Sequence, residues 1–119
     1  MQYVLLIYDD PAVWAKVPPE DYPKLYEEYG AIAQLSSTKG GAQLQPVATA
    51  RSVRVNGDKP IVTDGPFAET KEVLGGFYLI DCENKERAIE LAAQIPDCAI
   101  AGLGVEVRQV MFADGLLEA

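Results

Sequence analysis

Residues 2–8 have the sequence QYVLLIY, and residues 77–82 have the sequence FYLIDC. Both segments are short and rich in aliphatic and aromatic residues, and their apolar side chains occupy odd and even positions alike. A strand with this composition is covered on both of its faces, because successive side chains point to opposite sides of a sheet. Each segment therefore predicts a central strand that is buried on both sides.

Two amphipathic helices are predicted between these strands. Over positions 21–38 the apolar residues recur at steps of three and four, with Asp21 as a cap and the sequence KGG at 39–41 as the end. The tyrosines on this stripe indicate core packing, with an aromatic ligand-binding surface as the alternative. A second helix follows Asn84 and stops at Pro96, and its predicted inner face consists of Ala88, Leu91, Ala92 and Ile95.

The remaining strand signals are a hairpin and a last strand. Residues 52–63 predict a β-hairpin that forms a surface flap, with the sequence NG at 56–57 as its tip. In the last strand, positions 104–111, Glu106 and Arg108 share one face, while Val105 and Val107 share the other. The tail after Phe112 is predicted to be mobile or to exchange with a partner chain.

This order of elements predicts an α+β fold: a ferredoxin-like split βαβ antiparallel sheet with two helices on one face and an inserted β-hairpin. The 119 residues suit a single domain, 1–119. Two helices cover one face of the sheet only. Because the central strands are apolar on both faces, we expect the second face to pack against the same face of another copy, giving a homodimer.

Composition excludes several classes of function. Ten basic and eighteen acidic residues give a net charge of −8, which argues against nucleic acid and membrane surfaces as partners. No apolar run is long enough to span a bilayer and no leader precedes the first strand, so a cytoplasmic location is expected. In that compartment Cys82 and Cys98 are predicted to be reduced, largely buried and not joined by a disulfide.

The chain contains no histidine. This absence removes Ser-His-Asp and Cys-His nucleophile systems, histidine-based metal sites and imidazole acid–base catalysis. With no metal-ligand cluster and no phosphate-binding loop in the sequence, we expect neither a metal nor another cofactor.

The segment PIVTDGPFAETKEVLGGFYLIDC, at positions 60–82, closely resembles the signature of the DGPF family of YCII-related proteins. The opening YVLLIY, the EYG at positions 28–30 and the closing VEVR at 105–108 are similar to that family as well. The resemblance implies a dimeric α+β barrel built on the ferredoxin-like fold. It also implies a link to extracytoplasmic-function sigma factors, and hence a regulatory protein partner. The suspected enzymatic activity of YCII relatives rests on a His-Asp pair, for which this chain has no histidine.

Asp64 is the candidate acid–base residue of the signature. An aspartate commonly bonds the backbone N–H two residues on, but that residue is Pro66, which has none. Asp64 therefore either pins its own loop through a more distant donor or faces a ligand cavity. We expect Asp64 and Arg108 to line one common cavity in the barrel, although a structural salt bridge of Arg108 with Glu106 or with Asp64 is the simpler interpretation.

Two functions follow from these residues. The first is non-catalytic small-molecule binding or regulation by a homodimer, in which Arg108 anchors a small anionic ligand. The alternative is a cofactor-free enzyme that uses Asp64 as acid or base and Arg108 to hold an anion. Whether the chain is an enzyme stays open at this point. The candidate ligand-binding residues are Tyr8, Asp64, Phe67, Lys71, Glu106 and Arg108.

Overall fold

The computed structural model describes residues 1–67 and 70–111. Within these ranges the strands are β1 (Gln2–Asp9), β2 (Thr38–Gln43), β3 (Arg51–Asn56), β4 (Lys59–Asp64), β5 (Val73–Asp81) and β6 (Gly104–Gln109). The helices are α1 (Pro11–Trp14), α2 (Tyr22–Ala33) and α3 (Lys85–Ala92), and short 3-10 turns occupy Pro19–Asp21, Val47–Thr49 and Pro96–Ala99. None of the helices in these ranges has both the length and the apolar character needed to cross a membrane.

The main sheet has four strands in the order β2-β5-β1-β6, and all neighbours are antiparallel. The helices α2 and α3 pack on the face that carries Tyr3, Leu5 and Ile7, where the core also contains Ile32 of α2 and Leu91 of α3. This arrangement confirms the ferredoxin-like split βαβ fold with two helices on one face and an inserted hairpin.

The opposite face of the sheet is left uncovered by the helices. Val4 and Leu6 of β1 lie on it, and Leu6 is directly opposite Phe77 on one side and Glu106 on the other. Arg108 lies opposite Val4, so strand parity correctly placed both charged residues of β6 on this face. We refer to the side chains of Val4, Leu6, Tyr8, Leu74, Phe77 and Leu79 as the open sheet face.

The hairpin forms a sheet of its own. Strands β3 and β4 pair only with each other, and Asn56 pairs with Lys59, so the two loop residues are Gly57 and Asp58. The predicted tip was thus displaced by one residue. Gly57 has a φ of 63°, a value that glycine adopts without steric cost.

The predicted first helix was too long. Helix α2 ends at Ala33, and the glycine pair at 40–41 lies in edge strand β2 instead of ending a helix. The reason is close packing: a Cβ at Gly41 would lie 2.5 Å from the carbonyl oxygen of Phe77. Only a residue without a side chain allows this approach. Asp21 precedes α2 but makes no side-chain capping bond.

The second helix begins as predicted but ends earlier. Asn84 caps α3 by accepting a hydrogen bond from the backbone N–H of Arg87 at 2.8 Å, and the four predicted inner-face residues are buried, although α3 ends at Ala92 and Ile95 lies beyond it. Cys82 is buried as expected, whereas Cys98, in the turn after α3, is exposed, and both are free thiols. The predicted tail after Phe112 lies outside the described residues.

Candidate functional site

A cavity of about 900 Å³ lies between α2, the loop around α1 and the adjoining strands β2 and β5. This volume is within the range of small-molecule sites. Residues of the tyrosine stripe turn toward the cavity, and Tyr26 has 66% of its surface exposed. The stripe is therefore divided: Ile32 and Tyr29 contact the core, as core packing predicts, while Tyr22 and Tyr26 line the cavity and leave the ligand-surface alternative open. The aromatic lining consists of Trp14, Tyr22, Tyr26, Tyr29 and Tyr78.

Asp9, the last residue of β1, brings a carboxylate to the cavity wall. Its Oδ1 accepts a hydrogen bond from the indole Nε1 of Trp14 at 3.0 Å. A bulge in β5 makes room for it: Ile7 pairs with Gly76 and Tyr8 with Leu74, which leaves Gly75 unpaired. A Cβ at Gly75 would lie 2.8 Å from Cγ of Asp9 and even closer to its Oδ2. The carboxylate therefore occupies the space that a side chain at Gly75 would fill.

A second carboxyl group lies behind the cavity wall. Asp97, in the turn after α3, is fully buried, and its Oδ1 accepts a hydrogen bond from the hydroxyl of Tyr29. Its Oδ2 has no hydrogen-bond partner among the described residues. An unpaired buried carboxylate oxygen is costly unless it carries a proton, which lets the group act as a donor.

The carboxyl of Asp9 supplies a partner for such a proton. Burial first, and the neighbouring carboxyl of Asp9 second, raise the pKa of Asp97 to about 7, while the Tyr29 hydroxyl opposes the shift. Two neighbouring carboxyl groups resist ionising together. With a pKa of about 7, Asp97 is protonated for part of the time at neutral pH, a condition suited to proton transfer.

Tyr29 connects this pair to the cavity and to the sheet. Burial and the bond to Asp97 raise its pKa well above the ordinary tyrosine value, so its hydroxyl stays protonated and donates. The hydroxyl of Tyr78 in turn donates to the backbone carbonyl of Tyr29 at 3.0 Å. Burial also raises the pKa of Tyr78. Asp9 and Tyr29 line the cavity, and Asp97 contacts it only through them.

Asp64, the candidate from the DGPF motif, lies elsewhere. It pairs with Arg51 across the base of the hairpin, with its Oδ1 3.1 Å from the Arg51 Nε, and its side chain is 91% exposed. This contact matches the interpretation in which Asp64 pins its own loop. Arg108 bonds Oε2 of Glu106 through its Nε at 2.8 Å. That hydrogen bond raises the pKa of Arg108. The contact is the structural Arg108–Glu106 salt bridge that the sequence offered as the simpler interpretation.

The described structure does not bring the predicted site residues together in one chain. Asp64 and Arg108 are engaged in separate ion pairs, and neither lines the 900 Å³ cavity. Tyr8 lines a different cavity of about 450 Å³, beside Pro66 and Glu72. Phe67 is exposed and lies under the guanidinium of Arg54 at 4.8 Å, and Lys71 is exposed to solvent. The common cavity of Asp64 and Arg108 is therefore not formed within the monomer.

Sequence reasoning missed the carboxyl pair. Asp9 follows the apolar segment 2–8 directly, and its parity with Ile7 places it on the helix face. The glycine pair at 75–76 was a second signal, because a glycine beside a strand end admits a neighbouring group. Asp97 follows Pro96 in a turn, and no local pattern distinguishes it from a solvent-exposed aspartate. Its burial depends on tertiary packing alone.

The fold and this cavity define a small ferredoxin-like domain with a ligand-sized site beside its sheet. The model of the YCII-related domain matches residues 1–113, so the chain belongs to that family. An uncharacterized protein of Rhizobium meliloti (strain 1021) is 35% identical over 112 residues, which are 91% of this chain and 90% of that protein.

A solved structure shares the fold at low sequence identity. It is 5-chloro-2-hydroxyhydroquinone dehydrochlorinase from Burkholderia phenoliruptrix AC1100, in complex with 2,5-dihydroxybenzoquinone. The match has a TM-score of 0.52 and 10% identity, and it covers 95% of this chain and 96% of the other. At this identity the likeness establishes the fold and nothing about the ligand.

Proposed function

We propose that this protein binds a small planar molecule in the 900 Å³ cavity and transfers a proton within it, as a cofactor-free enzyme. One observation carries the proposal: the fully buried Asp97, with Oδ2 unpaired among the described residues, faces the carboxyl of Asp9 at an aromatic-lined wall. A protein that needed only a stable core would gain by replacing this pair with apolar residues. Perturbed carboxyl groups at a cavity are typical of functional sites.

The two carboxyl groups can catalyse a proton transfer in which the proton taken from the bound molecule is returned to it. Asp9 lies at the wall, so its carboxylate takes a proton from a C–H or O–H of the bound molecule. The same proton returns to a different atom of that molecule, which gives a tautomer or isomer and restores Asp9. Asp97 acts behind Asp9 as a positioning residue that holds a proton. Tyr29 donates a hydrogen bond from its hydroxyl to Asp97 and so orients that carboxyl behind the wall.

The lining suggests the kind of molecule. Aromatic side chains favour a flat ring or a conjugated chain, because such groups stack on their faces. Lys39 lines the same cavity and provides a positive charge for an anionic group, the role that the sequence assigned to Arg108. The ring compound 2,5-dihydroxybenzoquinone, with which the dehydrochlorinase of the same fold was captured, is a convenient first probe for this cavity.

The alternative is the binding function expected from the sequence, without catalysis. One observation favours it: Asp97 does not line the cavity, and the two carboxyl groups accept hydrogen bonds from Trp14 and Tyr29, which they hold in the cavity wall. In that role a homodimer would bind its ligand and pass the signal to a protein partner. The link to sigma factors stays a prediction, since no contact in the chain supports it.

Deuterium exchange tests the proposal directly. Probes of the proposed class, 2,5-dihydroxybenzoquinone and cyclic 1,3-diketones, are incubated with the protein in D2O, and loss of the exchangeable ring protons is followed by NMR. The native protein is expected to accelerate exchange, and Asp9→Asn to reduce the acceleration by about 100-fold or more. Asp64→Asn is the control, because it removes a carboxyl group that lies outside the cavity.

The outcomes separate the alternatives. Binding is followed by the fluorescence of Trp14, the one tryptophan of the chain, which lies in the cavity wall. Quenching without accelerated exchange favours the binding function. Exchange that survives Asp9→Asn and fails in Asp64→Asn would restore Asp64 as the acid–base residue and refute the proposed site.

A further inference from the structure

The hairpin β3–β4 carries an apolar face that nothing in the described chain covers. Val53 is directly opposite Val62, and Val55 is directly opposite Pro60, so these four residues share one face. The exposed fractions of the three valines are 54%, 69% and 60%. We call residues 51–64 the arm and this group its valine face.

The other face of the arm carries Arg54 and Ile61, and its contact is with Phe67. Arg54 and Ile61 are directly opposite each other there, and the guanidinium of Arg54 lies 4.8 Å from the ring centroid of Phe67. At the base, the Ser52 hydroxyl donates to the carbonyl of Gly65 at 2.7 Å. These contacts fix the direction of the arm. They leave the valine face pointing away from Phe67.

A two-stranded ribbon with such a face needs a cover. An isolated hairpin is marginally stable in water, and it gains independent stability only when a face packs against another element. The arm, however, has six residue pairs in register, and its hydrogen bonds to the rest of the described chain lie at its base. Its length and its apolar face therefore indicate a contact with another molecule.

We propose that the valine face packs on a second copy of this chain and extends an interface begun by the open sheet face. The position of the arm beside the open sheet face supports this occupant. Ala50 and Pro66, next to the base of the arm, line the 450 Å³ cavity together with Tyr8 and Leu74 of the open sheet face. A partner seated on that sheet face lies next to the arm.

Charge supports the same occupant. Three of the ten basic residues and two of the eighteen acidic ones lie in the arm, which gives it a net charge of +1. The remainder of the chain has seven basic and sixteen acidic residues, a net charge of −9. The arm is thus the part of the chain suited to an acidic surface, and the body of a second copy offers one.

Neighbouring substitutions on opposite faces of β4 test the proposal. Sedimentation equilibrium measures the dissociation constant of the native protein, of Val62→Asp and of the control Ile61→Asp. Val62→Asp is expected to raise the constant roughly tenfold or more, because it buries a carboxylate in the interface. Ile61→Asp is expected to leave the dissociation constant within about threefold of the native value, since Ile61 lies on the face of the arm opposite the valine face.

Val53→Asp serves as the second variant if Val62→Asp does not fold, as judged by circular dichroism. A native protein that is monomeric at 100 µM would overturn the proposal. Equal effects of the two β4 substitutions would overturn it as well, because they would show that the arm is merely disrupted. A dimer unaffected by either valine variant would place the interface on the sheet alone.

Discussion

The carboxyl group of Asp97 stands out among the individual residues because its pKa is raised from 3.8 to about 7. A raised pKa means that the folded state keeps a proton that the unfolded chain releases. The stabilisation from this proton is complete below the pKa of the unfolded chain, near 4, and it is lost as pH rises through 7. The free energy of unfolding therefore falls as Asp97 ionises.

The first prediction follows from this linkage. Between pH 5 and 7 the free energy of unfolding is expected to fall with pH more steeply in the native protein than in Asp97→Asn. The difference in slope is at most about 1.4 kcal/mol per pH unit, the value for a single proton. Urea unfolding of both proteins across this range measures it. Parallel profiles would show that Asp97 does not hold the proton.

Residues whose role depends on distant neighbours were the hardest to predict. The alternation of β6 placed Glu106 and Arg108 on the correct face, since strand parity is a local property. To predict that Asp97 is buried, one had to know that Tyr29, 68 positions earlier, donates a hydrogen bond to it. The DGPF motif drew attention to Asp64, but an exposed ion pair with Arg51 uses that carboxylate. Motif specificity indicated the family, and it pointed to a carboxylate that lies outside the 900 Å³ cavity.

Among the secondary-structure elements, β5 shows how a glycine pair acts in the site. The bulge at Gly75 bends the strand where the Asp9 carboxylate must fit, while Gly76 lies close to the backbone of β2. Sequence periodicity predicted the second half of β5 but not its glycine-containing start. It also interpreted the glycines of β2 as a helix end. A glycine indicates a close approach of two strands as readily as it indicates a turn.

The second prediction concerns this bulge. Gly75→Ala is expected to push the Asp9 carboxylate away from Trp14 and to lower the free energy of unfolding by roughly 1–3 kcal/mol, the usual cost of overpacking. Gly104→Ala is the matched control in another strand, since a Cβ there meets nothing within 4 Å. Denaturant unfolding and the tryptophan emission maximum are compared. A Gly75→Ala protein that matches the control in both would contradict the tight fit.

For the whole molecule, the open sheet face leads to the third prediction, a homodimer in solution. Stable interfaces bury about 1,200–2,000 Å² in total, more than a small apolar cluster provides, so the entire sheet face must take part. Leu6→Asp, in the middle of that face, is expected to give a folded monomer. Ile89→Asp, on the exposed side of α3, is the control. Light scattering at micromolar concentration decides between them, and a monomeric native protein contradicts the prediction.

The arm gives the protein an unusual hydrodynamic shape. The radius of gyration is 16.0 Å, and the principal extents are 44 × 38 × 21 Å. A compact chain of this length has a radius of about 13.5 Å. A flat particle with a projecting ribbon experiences more friction per unit mass than a sphere and leaves a gel-filtration column early. Its elution volume overstates the molar mass, and a single chain can be mistaken there for a pair.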